Sequence, residues 1–139
     1  MKNIVIIGAG DLGKELVWLV EDINKIKPTY VILGFLDDDV MKDRNAFAGY
    51  RVLGGNRRLE RLIEKTPLSA VVAIQDGSTR KKIVEEHPNF NNWESIIHPS
   101  AVIASSRKLG KGSIVFPNTT VSVDTKIGDF GLLYINSTI

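Results

Sequence analysis

From residue 97 to residue 139 the chain reads IHPSAV IASSRK LGKGSI VFPNTT VSVDTK IGDFGL LYINST I when it is broken into sixes. Every six opens on a branched aliphatic: Ile97, Ile103, Leu109, Val115, Val121, Ile127, Leu133 and Ile139. Four residues after these stand Ala101, Arg107, Ser113, Thr119, Thr125, Gly131 and Ser137, all small except Arg107. Gly110 and Gly128 directly follow two of the aliphatics. A sustained period of six is the mark of a parallel β-helix. Each six residues form one flat side of a triangular prism. The aliphatic points to the axis and stacks on its copy three hexads later, and the small residue fits the corner. The competing reading, a sandwich of short strands, calls for period two and variable turn spacing.

Upstream, the period is different. Asn3 to Ile7 is a short β-branched run of the kind buried on both faces of a parallel sheet. Leu16, Val17, Leu19, Val20, Ile23 and Ile26 then recur at helical spacing, and Pro28 stops that helix. Tyr30 to Leu36 reads as a second strand, closed by Asp37-Asp38-Asp39. A looser segment runs from Val40 to Gly55, with Tyr50 to Leu53 extended. Leu59, Leu62 and Ile63 mark a short helix ended by Pro67, and Ala70 to Ile74 reads as a third strand. Ser78 to Glu86 reads as a third helix with Ser78 or Asp76 as N-cap, and Ser95 to Ile97 as a fourth strand. Alternating strands and helices mean a parallel sheet with right-handed crossovers. The expected organisation is an α/β Rossmann-like unit over residues 1–96, followed by a β-helix over 97–139.

Composition narrows the function classes. The 139 residues carry 18 Lys and Arg against 16 Asp and Glu, a net charge of +2, which gives no global field for nucleic acid or an anionic membrane. There is no cysteine, so disulfides, thiolate metal sites and cysteine nucleophiles are excluded. That fits a cytoplasmic protein. No stretch approaches the ~20 apolar residues of a membrane helix, and no metal site is expected.

Gly8-Ala9-Gly10-Asp11-Leu12-Gly13 is a G-x-G-x-x-G motif between a strand and a helix. Its glycines permit a tight turn and let backbone amides approach a phosphate, and the helix N-terminus adds partial positive charge. Asp37 lies where the acidic partner of such a motif belongs, at the end of the second strand. Asp11 opposes phosphate at the helix start. The third strand ends in Ile74-Gln75-Asp76-Gly77-Ser78, beside the end of the first, where doubly wound sheets bind ligands. Gln75, Asp76 and Ser78 are therefore candidates to line the crevice, with helix capping as the alternative for Asp76 and Ser78. Arg57-Arg58 and Arg80-Lys81-Lys82 read as solvated faces. His87 is placed at the surface, and His98, with no acid nearby in sequence, reads as structural rather than as a ligand contact.

A nucleotide-binding α/β unit followed at once by hexads resembles the sugar acyltransferases of the PglD and NeuD type, the sialic acid O-acetyltransferase family. The residues that carry the resemblance are Ile6-Ile7-Gly8-Ala9-Gly10, Gly34-Phe35-Leu36-Asp37-Asp38, Val52-Leu53-Gly54, Thr79-Arg80-Lys81-Lys82-Ile83, Ile97-His98-Pro99-Ser100-Ala101-Val102 and Lys126-Ile127-Gly128-Asp129-Phe130. The resemblance implies a left-handed β-helix, a homotrimer with sites between neighbouring β-helices, and acetyl transfer from acetyl-CoA to an amino or hydroxyl group of a sugar. In the PglD branch that sugar is carried on UDP. It implies that Gly8, Gly10 and Gly13 face the pyrophosphate, and that Asp37 and Asp38 meet the uridine. The chain departs from the family at Asp11-Leu12. The family's catalytic His lies one hexad past the segment matching Ile135 to Ile139, and later coils form the acetyl-CoA groove. The 139 residues are thus expected to bind the acceptor, to contain no catalytic residue and to acetylate nothing alone.

Two other classes compete. One is a non-catalytic sugar-nucleotide-binding or trimer-forming module. The other is a nicotinamide-dependent oxidoreductase, because the glycine motif and Asp37 fit NAD equally well, although the hexads leave no room for a second catalytic domain.

Overall fold

A computed structural model of the chain describes residues 1–39, 48–106 and 108–139. Arg107, the exception among the small corner residues, and 40–47 of the looser segment lie outside the described residues. The first part comprises β1 (Lys2–Ile7), α1 (Asp11–Ile26), β2 (Tyr30–Leu36), β3 (Val52–Gly54), α2 (Arg58–Lys65), β4 (Ser69–Val72) and α3 (Gly77–Glu85). The four strands form one parallel sheet in the order β3-β2-β1-β4. Successive β1 residues point to opposite faces, and both faces are covered. Ile4 and Ile6 pack with Leu12, Leu16, Val17, Leu19 and Val20 of α1. Val5 and Ile7 pack with Leu59 of α2, Ile83 of α3, Phe90 and Trp93. This is why β1 is apolar without alternation.

From Ile96 onward the strands are two residues each: β5 (Ile96–Ile97), β6 (Val102–Ile103), β7 (Lys108–Leu109), β8 (Ile114–Val115), β9 (Thr120–Val121), β10 (Lys126–Ile127) and β11 (Leu132–Leu133). They form three parallel ladders, β5-β8-β11, β6-β9 and β7-β10. Every register step is three hexads: Ile97 pairs with Val115, Val115 with Leu133, Ile103 with Val121, and Leu109 with Ile127. The aliphatics of the sixes therefore stack, and Val115, Val121 and Leu133 form a core of their own with Ile97, Ile103, Leu109 and Ile127 around them. Small corner residues turn inward: Ser113 and Thr119 are fully buried, and their hydroxyls donate to the carbonyls of Gly110 and Tyr134.

One expectation changes here, and one feature is added. Ser95 to Ile97 is not a fourth strand of the large sheet; Ile96–Ile97 pairs with β8. The free side of β4 is met instead by a single bridge from Trp93 to Ala70. The hexads also contain a second periodic position. Gly112, Asn118, Asp124, Phe130 and Asn136 all have positive φ, between 56° and 69°. A corner turned through the left-handed region suits Gly, Asn and Asp, but Phe130 is a bulky exception.

The coil stack lies against α1. Ile96, Ile114 and Phe116 join the core that α1 covers. Glu15 accepts a hydrogen bond from the Tyr134 hydroxyl. Asp22 meets His98 Nε2 at 2.9 Å, and Trp18 tilts over the His98 ring at 6.1 Å. The acid that holds His98 thus comes from 76 residues upstream. On the opposite side of the molecule, Trp93 stacks edge-on with Phe90 at 4.8 Å and with Phe130 at 5.7 Å.

Candidate functional site

At the carboxyl ends of β1 and β4 the backbone leaves a cleft, and the glycine motif forms its floor. Gly8 has φ of 114°, and a Cβ there would stand 2.6 Å from the Ala73 carbonyl oxygen. A Cβ on Gly13 would stand 2.4 Å from the Gly8 carbonyl oxygen, so this glycine lets α1 close on the strand. Gly10 faces open space, with no heavy atom within 4 Å of its Cβ position. Two of the three glycines are therefore required by packing, and the third leaves the backbone open to an approaching ligand.

The cleft has three connected parts. The first, about 310 Å³, is lined by Gly8, Gly10, Asp11, Leu12, Asp37, Ala73, Ile74 and Gln75. The second, about 230 Å³, shares Gly8, Asp37 and Ile74 and adds Asp38, Asn56, Thr79, Lys82, Ile83 and Glu86. The third, about 460 Å³, continues from Asp38 and Glu86 to Arg57, Glu60 and His87. Ligand sites occupy ~300–1,000 Å³, so the narrow middle part serves as a site only together with its neighbours.

The two acids that close β2 are built into this wall. Asp37 Oδ2 accepts the Ala9 N–H at 2.8 Å, and its Oδ1 accepts the Asp39 N–H at 2.8 Å. Asp38 Oδ1 accepts the Asn56 N–H at 2.6 Å. The pair ties the end of β2 to the glycine loop on one side and to the β3–α2 turn on the other. Gly10 caps α1 without a side-chain hydrogen bond, so the N-cap residue itself leaves the first amides of α1 uncovered.

Asp11 stands in that first turn and is exposed. Its repulsion of a phosphate is worth roughly 1 kcal/mol per charge pair at ~4 Å in water. One hydrogen bond to a charged group contributes roughly 1.5–3 kcal/mol. Two amides are enough to outweigh Asp11.

Of the remaining candidates, Gly13, Asp76 and Ser78 sit apart from the cleft lining, and Leu12 contributes only its edge to it. Leu12 is 8% exposed and belongs mainly to the α1 core. Gly13 is beneath the Gly8 carbonyl. Asp76 caps α3, taking the Thr79 N–H and the Ser78 and Thr79 hydroxyls, and the Thr79 hydroxyl above all holds its carboxyl below the usual carboxylate range. Ser78 donates to that cap.

Two basic or imidazole side chains differ from the sequence expectation. His87 is not at the surface: it is 3% exposed and its Nδ1 contacts Glu60. The aromatic Trp93 beside it and the apolar residues around α3 bury it. Arg80 is not part of a solvated face. Its guanidinium turns back to donate to the carbonyls of Ile74 and Gln75, fixing the loop after β4. Arg57, Arg58, Lys81 and Lys82 are exposed as expected. His98 is bound at Nε2 by Asp22 and at Nδ1 by Ser100, a structural position.

Asn56, which no sequence motif marks, is 7% exposed, and its amide oxygen is buried with no hydrogen-bond partner. A separate cavity of about 330 Å³ opens on the other face of α3, between Arg80, Lys81 and Val84 and the coil corner Asp129-Phe130. Among the described residues no group of three His, Cys, Asp or Glu side chains is placed to hold a metal ion, and no helix is long and apolar enough to cross a membrane.

The family model described as the PglD N-terminal domain matches residues 3–87, more than half of the chain. No curated protein sequence matches the chain. Among solved structures, the chain is similar to the acetyltransferase domain of PglB from Neisseria gonorrhoeae in complex with acetyl coenzyme A. The TM-score is 0.85 and the identity 26%, over 99% of this chain and 64% of that one. It is also similar to PerB from Caulobacter crescentus in complex with CoA and GDP-perosamine, with a TM-score of 0.86 and 26% identity over 100% of this chain and 63% of that one. WeeI from Acinetobacter baumannii superposes with a TM-score of 0.79 and 25% identity over 100% and 64%. The chain spans about 64% of the length of the first of these structures.

Proposed function

Since the chain belongs to the PglD N-terminal domain family, we propose that it is the acceptor-binding part of an acetyl-CoA-dependent sugar acetyltransferase, and that the cleft at Gly8 to Gly13 holds a sugar nucleotide. In this reading residues 1–96 grip the nucleotide and residues 97–139 begin the left-handed coil stack toward which the sugar points. The observation that carries it is the open backbone at Gly10, set between the uncapped start of α1 and the acids that end β2. The PerB structure supports the ligand class, being solved with GDP-perosamine.

The pyrophosphate lies over Gly10 and the first amides of α1. The ribose and base lie past Asp37 and Asp38. The acceptor is an amino or hydroxyl group of the sugar, carried on UDP or GDP. Such an acceptor must lose a proton during acetyl transfer. Both histidines of the chain are held by Glu60 or by Asp22 and Ser100, so we assign that role to neither.

The similar gonococcal acetyltransferase domain is solved in complex with acetyl coenzyme A, which would supply the acetyl group. Among the described residues, several polar side chains of the coils are already engaged within the stack. Ser113, Thr119 and Ser137 donate to carbonyls within the stack, and Asp129 accepts the Lys111 N–H. A homotrimer and a cytoplasmic location, where acetyl-CoA and sugar nucleotides are made, complete the proposal.

The test is titration calorimetry and thermal unfolding with GDP, UDP and their amino-sugar conjugates. Binding by the chain that Gly10→Ala weakens at least about tenfold supports the reading. Absence of any heat or melting shift with every nucleotide at millimolar concentration overturns it.

A further inference from the structure

Helix α3 borders a cavity on each side. Thr79, Lys82 and Ile83 face the cleft. Gly77, Arg80, Lys81 and Val84 face the separate space of about 330 Å³, whose other wall is the coil corner Asp129-Phe130. That volume is within the ~300–1,000 Å³ of small-ligand sites.

Arg80 brings a fixed cation to this space. Its Nη1 donates to the carbonyls of Ile74 and Gln75 at 2.9 and 2.8 Å, which holds the guanidinium in place without neutralising it. Among the described residues no carboxylate pairs with it. Its Nη2 has no partner among them either and, unlike Nε, is not sealed from solvent. Nη2 stands 3.8 Å from the Cβ position of Gly77, on the cavity wall. The facing wall offers an acceptor. Asp129 takes the Lys111 N–H through Oδ1 at 3.0 Å, and its Oδ2 takes nothing among the described residues. Lys81 and Glu85 pair with each other at 4.0 Å and offset each other's charge. Val84 and the Phe130 ring supply apolar walls. Trp93 holds that ring edge-on at 5.7 Å, and the Phe130 N–H donates to the Lys111 carbonyl at 2.7 Å. The wall is therefore rigid, and its left-handed backbone, φ 57°, is strain of the kind that gathers at ligand clamps.

From this we infer that the cavity is a second ligand site, for a flat aromatic carboxylate that also carries an amino or hydroxyl donor. The carboxylate accepts from Arg80 Nη2, a charge-assisted bond to a donor already fixed in place. The ring packs on Val84 and Phe130, and the donor at its other end gives to Asp129. A dicarboxylate or a phosphate ester would set a second negative charge against Asp129, and a purely apolar guest would leave Arg80 unused. The site lies across α3 from the cleft and does not depend on what the cleft binds.

The experiment is a carbon-13 NMR titration of the chain with 3- and 4-aminobenzoate, with benzoate, which lacks the donor, and with 4-aminobenzamide, which lacks the charge. An aminobenzoate is expected to give saturable shifts at the Val84 methyls and the Phe130 ring. It should bind at least about tenfold more tightly than benzoate or aminobenzamide. Val84→Phe, which fills the space, and Arg80→Gln, which removes the charge, are each expected to weaken it by at least about tenfold. Circular dichroism melting identifies a variant that fails to fold; the ligand series tests the wild-type chain without a substitution. The inference is overturned if no aminobenzoate saturates at millimolar concentration, if the shifts fall on the cleft at Gly8 and Ile74 instead, if benzoate and aminobenzamide bind as well, or if folded Val84→Phe binds like wild type. None of these results bears on nucleotide binding in the cleft.

Discussion

The ring of Phe130 stands edge-on to the indole of Trp93, with centroids 5.7 Å apart and planes at 80°. Phe130 reaches that position from a left-handed backbone, φ 57°, at a corner where the equivalent residues are Gly112, Asn118, Asp124 and Asn136. Its ring also fills the space above Gly112, where a Cβ would stand 2.4 Å from it. The contact joins the coil stack to the core under α3.

The two effects at Phe130 oppose each other. The left-handed conformation costs roughly 1–2 kcal/mol for a residue with a Cβ, and an aromatic edge contact contributes roughly 0.5–1.5 kcal/mol beyond its buried area. Phe130→Ala keeps the strain and loses the ring. Phe130→Asn loses the ring but relieves the strain. Thermal unfolding should rank wild type above Phe130→Asn, and Phe130→Asn above Phe130→Ala. The alanine variant should melt lower by about 4 °C per kcal/mol lost. An alanine variant as stable as wild type would mean that the ring contributes nothing to docking the stack.

The three glycines of the motif should separate in stability. Gly8→Ala meets a backbone oxygen at 2.6 Å from a positive φ, and Gly13→Ala meets one at 2.4 Å. Each is expected to cost about 2–4 kcal/mol, as overpacking against backbone does. Gly10→Ala adds a methyl to open space and should cost under about 1 kcal/mol. Urea midpoints at constant slope measure all three. Equal losses would contradict the division between packing and access.

Acid should loosen the contact between α1 and the coils. The hydrogen bond from His98, helped by Lys25, holds the Asp22 carboxyl below its ordinary value of 3.8. A depressed carboxylate stabilises the fold above that ordinary value, and this contribution disappears as pH falls through the depressed one. The melting temperature of wild type should therefore drop more steeply below pH ~4 than that of Asp22→Asn, with the two curves converging in strong acid. Parallel curves from pH 7 to pH 2 would show that the contact does not contribute.

The coil core was legible in the sequence because the period of six has one geometric solution: Ile97 under Val115 under Leu133. The second period, three residues later, was equally present as Gly112, Asn118, Asp124 and Asn136, and Phe130 obscured it. Strand β2 and the Pro28 stop were local signals and were read in place. What was not legible depended on distant chain. His98 finds its acid on α1, His87 is buried by Trp93 and the residues of α3, and Arg80 folds back onto its own loop rather than facing water. Asn56 has no local signature at all; only the folded cleft reveals that its amide oxygen lacks a partner.

The two polar contacts that α1 makes with the coils carry a geometric consequence. Glu15 and Asp22 are seven residues apart, about 10.5 Å along a helix. Their partners Tyr134 and His98 are 36 residues apart, two turns of the prism, or about 9.5 Å at strand spacing. The rise of the helix and the pitch of the coils are commensurate, so α1 acts as a gauge laid along the stack. One added coil between His98 and Tyr134 would carry the hydroxyl about 5 Å beyond Glu15. The number of turns in this part of the molecule is therefore matched to a length written in a helix more than seventy residues earlier.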